Sequence, residues 1–268
     1  MSIFYILFLA IVQGLTEFLP VSSSAHLILA PYLFGVADQG YEIDLAVHVG
    51  SLFAVMIYFR AETMRLVTGG IDTLMFKFNT DASQFFVLLV IATIPVIVFG
   101  LILEMMGLID ALRSPKLIAI TMIFFGIVLY YADKKSPQHR RERDWNLRDA
   151  IIMGLWQAVA LIPGTSRSGA TVTASRFLGF NRHDGAKISM LMSIPTILAG
   201  GALLALQIIK GGSVDTSLLK HAAIAAVASF IAALFALSLM MKFLKSVDFT
   251  PYVIYRVLLG FVLLYIFW

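Results

Sequence analysis

"GLTEFLPVSSSAH" (Gly14–His26) interrupts an otherwise apolar N-terminal run. It sets a carboxylate, a proline, three consecutive serines and a histidine where a membrane helix should simply continue. Gln13 and Glu17 are four residues apart and so share one helical face. Pro20 disfavours helix at Leu19 and interrupts the hydrogen-bond ladder. Ser22, Ser23 and Ser24 then stand where a second helix starts, with hydroxyls suited to capping its free amides. His26 falls in the first turn of that helix. The stretch from about 1 to 34 therefore reads as a helix–break–helix hairpin that enters a membrane and returns on the same side.

The membrane reading follows from composition. Of 268 residues, 60% are hydrophobic and 13% are charged, whereas a soluble domain carries about one quarter charged residues. Runs at about 43–60, 83–105, 116–133, 184–210, 219–241 and 250–268 approach the roughly 20 residues that span a bilayer as a helix. The absence of cysteine excludes disulfides and thiolate metal sites. A net charge of +4 is concentrated in a single loop, so it is no nucleic-acid signal. The N-terminal run lacks a basic flank and a small-residue cleavage site, and it reads as mature protein rather than signal peptide.

A second broken segment lies at about 149–179. "IVQGLTEFLPVSSSAH" (Ile11–His26) and "LWQAVALIPGTSRSGAT" (Leu155–Thr171) share a glutamine, an apolar stretch, a proline and a serine. Aligned on the prolines, Pro20 leads to Ser23 as Pro163 leads to Ser166. Each break is followed by three spans, and "VIATIPVIVFGLIL" in the first half echoes "LMSIPTILAGGALL" in the second. One hairpin plus three spans is an odd number of crossings, so the second half sits upside down relative to the first. The expected fold is an all-α polytopic membrane protein, with six full transmembrane helices and two re-entrant hairpins in an inverted-topology repeat. It forms one membrane domain over 1–268. Halves 1–133 and 149–268 are joined by a basic loop at 134–148.

Charge orients it. Asp133–Arg148 holds six Lys/Arg against three Asp/Glu, which makes that loop cytoplasmic. Parity then places 61–82, 180–183 and 242–249 inside as well. The segments 35–42, 106–115 and 211–218 fall outside, with Arg113 as their one basic residue.

Two breaks facing each other at mid-membrane would bring together an unusual set of groups. "PGTSRSGAT" offers Gly164 and Gly169 for close backbone approach, hydroxyls at Thr165, Ser166 and Ser168, and the fixed fork of Arg167. A helix N-terminus beside an arginine suits phosphate. Serines and threonines in membrane helices also serve packing, and a buried Arg–Glu pair can be purely structural. An ionised side chain at the bilayer centre nevertheless costs about 2.5–3.5 kcal/mol on insertion scales, and Glu17, His26 and Arg167 together favour a functional site. Glu17 would repel an anion unless a divalent cation, Mg²⁺ or Ca²⁺, bridges them or it works as an acid or base. The residues thus point to metal-assisted phosphoryl transfer on a lipid substrate.

At these residues the chain resembles the undecaprenyl pyrophosphate phosphatase family of bacterial bacitracin-resistance membrane proteins. The signatures are "QGLTE" (Gln13–Glu17) with "FLPVSSSAH" following, and "PGTSRSGAT" (Pro163–Thr171). The resemblance implies removal of the terminal phosphate of the C55 polyprenyl diphosphate, on the outer side of the cytoplasmic membrane. The lipid carrier is thereby recycled for peptidoglycan synthesis. Bacitracin would compete only indirectly, by sequestering that lipid, and homodimerisation is left open. Carried over, Glu17 is the metal-linked or acid/base carboxylate, and Gln13 holds the motif's variable first position. That glutamine puts a two-carboxylate metal site in doubt. Arg167 clamps the diphosphate, with Ser22, Ser24, Gly164, Thr165, Ser166, Ser168 and Thr171 around its oxygens. For the nucleophile, Ser23 activated by His26 is favoured over His26 itself or a metal-bound water.

Three further residues and two rival classes complete the reading. His48 suits either a hydrogen bond across helices or an indirect role beside the site. Arg256 is read as snorkelling toward the cytoplasmic interface, and Arg60 and Lys187 as topology anchors. "SRFLGFNRHD" (Ser175–Asp184) approaches the acid phosphatase-like motif, but its histidine is one residue too far and Lys187 stands where aspartate belongs. The serious rival is a transporter that flips the lipid monophosphate through the same fold.

Overall fold

Short polar breaks divide the chain into helices too brief to cross a bilayer and helices long enough to do so. The computed structural model describes residues 2–36, 40–211 and 216–267. Parts of segments 35–42 and 211–218, both expected on the outer side, lie outside the described residues, as does Trp268 at the end of the last expected span. Among the described residues there is no strand, only an isolated bridge between Arg140 and Phe180.

The first break separates α1 (Ile3–Thr16) from α2 (Ser23–Phe34), and the second separates α7 (Leu147–Val159) from α8 (Arg167–Phe177). At 14, 12, 13 and 11 residues, none of the four reaches the length of a full span. Between them lie α3 (Tyr41–Tyr58), α4 (Arg60–Leu74), α5 (Asp81–Met105) and α6 (Pro115–Lys135). After the second break come α9 (Arg182–Gly211), α10 (Thr216–Phe243) and α11 (Thr250–Phe267). Among the described residues, five helices are long and apolar enough to cross a membrane, or six if the bent pair α3–α4 counts as one span.

Three expectations are corrected here. Residues 61–82 are not a plain connection: α4 leaves α3 at 96° after Phe59 and packs against α5. Its polarity hid it from a search for apolar runs. The echo around Pro95 and Pro195 does not join equivalent helices. Pro95 lies in α5, the second long helix after its break, and Pro195 in α9, the first. The two breaks also correspond in a different register. Ser22 and Ser166 are the N-caps of α2 and α8, with φ of 74° and 72°. Their separation equals that of the fully buried Gln13 and Gln157, so it is Ser22, not Ser23, that matches Ser166.

Close helix packing positions both breaks. A Cβ on Gly14 would lie 2.4 Å from the Ser229 carbonyl oxygen of α10, and one on Gly154 would lie 2.6 Å from the Ala92 carbonyl oxygen of α5. Small residues here let α1 seat on α10 and α7 on α5 at backbone distance. The core packs around Phe18, Met153, Met190, Met192 and Leu237. Large apolar side chains such as Phe99, Phe124, Phe235 and Phe261 point outward, as a lipid-facing surface requires.

Ion pairs gather at the end that carries the basic loop. Asp133, 2% exposed, accepts from Arg176 Nε at 3.0 Å and from Arg182 Nε at 2.8 Å. Arg176 is fully buried and also donates to the carbonyls of Ser136, Pro137 and Phe180. The stretch that approached an acid phosphatase motif is therefore a structural knot. Lys187 pairs with Glu62 and Glu142, and Arg65 with Asp81 and Glu142. Lys187 is thus an internal tie rather than an interface anchor.

Candidate active site

The two breaks meet, and Glu17 stands at the junction. It caps the C-terminal end of α1 and is 8% exposed. Its Oε1 accepts from Arg167 Nη2 at 2.7 Å, across the two halves. Its Oε2 accepts from Gln13 Nε2 and from Ser23 Oγ, each at 2.8 Å. Three donors on one buried carboxylate satisfy the rule that a buried charge must be paired and hydrogen-bonded.

Both helices that start at the breaks aim their first turns at this junction. Ser22 Oγ accepts from the Ala25 amide at 3.4 Å, and Ser166 Oγ from the Gly169 amide at 3.0 Å. The caps satisfy one amide each and leave the remaining first-turn amides for another acceptor. Arg167 is the first residue of α8 and also donates to the Ser189 carbonyl at 3.2 Å. A cavity of about 600 Å³ opens on the junction, lined among others by Glu17, Ser23, Ser24, His48, Ser166 and Arg167. Glu104, Gly107, Ile109 and Arg113 also line it. These residues lie at and beyond the end of α5, before α6 begins.

The remaining expected site residues stand behind the cavity. Ser168, 1% exposed, donates to the Leu19 carbonyl at 2.9 Å and so ties α8 to the first break. Thr171 Oγ1 lies 2.5 Å from Ser189 Oγ. Gly164 has φ of 88°, and a Cβ there would sit 2.1 Å from Thr121 Oγ1. Only glycine suits that position. Thr165 is fully buried, and its hydroxyl has no hydrogen-bond partner.

Two pairings differ from expectation. Ser23 is bonded to Glu17, not to His26. The His26 ring instead has Nδ1 2.7 Å from the Ser22 carbonyl oxygen and Nε2 2.5 Å from the Tyr255 hydroxyl, and it stacks on the Tyr255 ring. His48 Nδ1 contacts the Asp44 carbonyl of its own helix at 2.7 Å, not another helix, while the side chain lines the cavity.

Arg256 is the residue that sequence reasoning misplaced. It is fully buried, not at an interface. Its Nη1 donates to the Pro20 carbonyl at 3.4 Å, and its Nη2 to those of Gly164 and Thr165 at 3.1 and 2.8 Å. The signal was present in "PYVIYRVLLG", an arginine within an apolar span.

A divalent cation finds a partial site here. Among the described residues no three His, Asp or Glu side chains gather into a ready-made cage. Glu17 supplies a carboxylate, and the buried Gln13 Oε1 has no hydrogen-bond partner. One carboxylate and one amide oxygen fit a hard cation that takes its other ligands from phosphate oxygens and water.

Apolar helices around a junction of glutamate, arginine, serines and two helix N-termini define a polytopic membrane protein with a polar cavity where its two breaks meet. Residues 6–262 match the family model described as bacitracin resistance protein BacA. A relative from Dinoroseobacter shibae named undecaprenyl-diphosphatase is 57% identical over 266 residues, covering 99% of each chain. Another of that name, from Ruegeria pomeroyi, is 52% identical over 264 residues and 98% of each chain. One from Saccharophagus degradans is 41% identical over 260 residues, 97% of this chain and 96% of the relative. The chain belongs to the bacitracin resistance protein BacA family.

Proposed function

We propose that this protein hydrolyses undecaprenyl diphosphate to undecaprenyl phosphate and inorganic phosphate, with Ser23 as nucleophile and Glu17 as its base. One observation supports the reading: Glu17 accepts hydrogen bonds from both Ser23 and Arg167, so a single carboxylate touches the two residues proposed as nucleophile and phosphate clamp. Ser23 Oγ attacks the terminal phosphorus, and its proton passes to Glu17. The bond from that phosphorus to the bridging oxygen breaks, and the polyprenyl phosphate leaves with the proton that Glu17 passes on to it. Water then attacks the phosphoserine and gives a proton to Glu17. The Oγ–P bond breaks, Ser23 recovers a proton from Glu17, and inorganic phosphate departs. Arg167 and the first-turn amides of α2 and α8 bind the non-bridging oxygens. A divalent cation held by Glu17 and Gln13 would supply further charge neutralisation to the diphosphate.

The two halves form an inverted repeat in the cytoplasmic membrane, with both broken segments re-entrant. The matched caps at Ser22 and Ser166 support this, as does the parallel seating of α1 on α10 and α7 on α5. The site opens outward. In support, Gly107, Ile109 and Arg113 line the cavity and lie before α6, whereas the basic loop follows the other end of that helix.

Phosphate release from C55 diphosphate by the purified protein, in detergent with Mg²⁺ or Ca²⁺, tests the reading. Glu17→Gln and Ser23→Ala should each lower the rate by about 10²–10⁴-fold, and Arg167→Ala should abolish saturable turnover. Rapid quench should trap phosphoserine at Ser23. Phosphate found on His26 would make that histidine the nucleophile and overturn the role given to Ser23. No release under any metal condition, with lipid movement in vesicles, would make the protein a transporter instead.

A further inference from the structure

Arg256 carries a positive charge that nothing in the described structure neutralises. Among the described residues no carboxylate lies within ion-pair distance of it, and its partners are three carbonyl oxygens. Its Nε is buried with no hydrogen-bond partner at all. A buried guanidinium without a counter-ion is costly, and its position shows what the cost serves. The carbonyls it holds belong to Pro20 in the first break and to Gly164 and Thr165 in the second. The residue after Thr165 is Ser166, which lines the cavity beside Arg167. The signature stretch is also shaped around the guanidinium, since a Cβ on Gly169 would lie 2.8 Å from Arg256 Nη1.

We propose that Arg256 is a positioning residue of the reaction, whose guanidinium clasps the two breaks together and whose unpaired charge takes the substrate diphosphate as its counter-ion. Carbonyl dipoles orient the fork but leave its net charge intact. In a low-dielectric interior that charge reaches the cavity with little screening. It therefore adds to the pull of Arg167 and of the α8 N-terminus on an anion placed there. Glu17 already offsets Arg167, so Arg256 adds a positive charge that its own carbonyl partners do not cancel.

The inference rests on reading the cavity as a diphosphate site, and direct binding of inorganic pyrophosphate separates the two ideas. Calorimetry on the purified protein in detergent measures pyrophosphate affinity without depending on turnover. Arg256→Met, which removes the charge and keeps the bulk, should weaken pyrophosphate binding about tenfold or more. Arg256→Lys should keep most of the affinity while lowering kcat, because it retains the charge but loses the fork. Arg60→Gln, which removes an exposed charge, should leave the affinity unchanged. If Arg256→Met does not fold, Gly169→Ala moves the guanidinium without removing it and should weaken pyrophosphate binding by a smaller factor. Unchanged affinity in Arg256→Met, or in Gly169→Ala where that variant stands in for it, overturns the proposal. So does equal weakening in the Met and Lys variants, which would assign the effect to fork geometry alone. Failure of the unaltered protein to bind pyrophosphate would instead overturn the reading of the cavity itself.

Discussion

The serine caps carry more backbone strain than their hydroxyls suggest. Ser22 and Ser166 sit at φ of 74° and 72°, where a side chain is disfavoured. Each nonetheless keeps a hydroxyl on its helix's first turn, so the strain is held in place by the cap. Ser166→Ala keeps the strain and loses the cap, and it should destabilise the protein by about 0.5–2 kcal/mol. Ser166→Gly relieves the strain, so its cost should be a few tenths of a kcal/mol. Thermal unfolding of the two variants in the same detergent gives the comparison. The sequence showed which residue types fill the site but not which groups pair. Ser23 and His26 look like partners from their spacing on one helical face. The partner that draws His26 away, Tyr255, is 229 residues distant, and no local pattern announces it.

At the level of helices, the breaks are held by how closely their lead helices approach neighbours. Gly14 meets the α10 backbone so tightly that an added methyl has no room. Gly14→Ala should push α1 outward, cost about 1–3 kcal/mol and lower turnover by displacing Glu17 from Arg167. Unfolding and phosphate-release assays on one preparation would read both effects. The long spans were legible because continuous apolar character is a strong signal, and the breaks were legible because proline and serine contradict it. By contrast, α4 was not. Arg60, Glu62, Arg65 and Asp72 make it too polar for a span, yet Met64, Val67, Ile71 and Leu74 remain exposed along it. Such a helix reveals itself only when the chain is seen to turn after Phe59.

Across the whole molecule, the two ends present different surfaces. The basic-loop end is stitched by ion pairs, among them Lys134 Nζ to Asp248 Oδ2 at 2.5 Å, which joins α6 to the turn before α11. The hydrogen bond from Lys134, with help from Thr250, holds the Asp248 carboxyl well below the usual carboxylate range. A depressed folded-state value means the stabilisation is complete above the unfolded pKa of about 3.9. It is lost as pH falls through the folded value. Asp248→Asn should therefore lower the unfolding temperature by a constant amount between about pH 5 and 7, and the gap should close below about pH 4. The cavity end presents Phe34, Met105, Met106 and Ile109 to their surroundings, so contact with lipid helps to shape it. The molecule thus has a floor tied by ion pairs and a rim whose solvent is the bilayer. On extraction, a harsh detergent would slacken the rim first, and activity would fade while the helices were still intact.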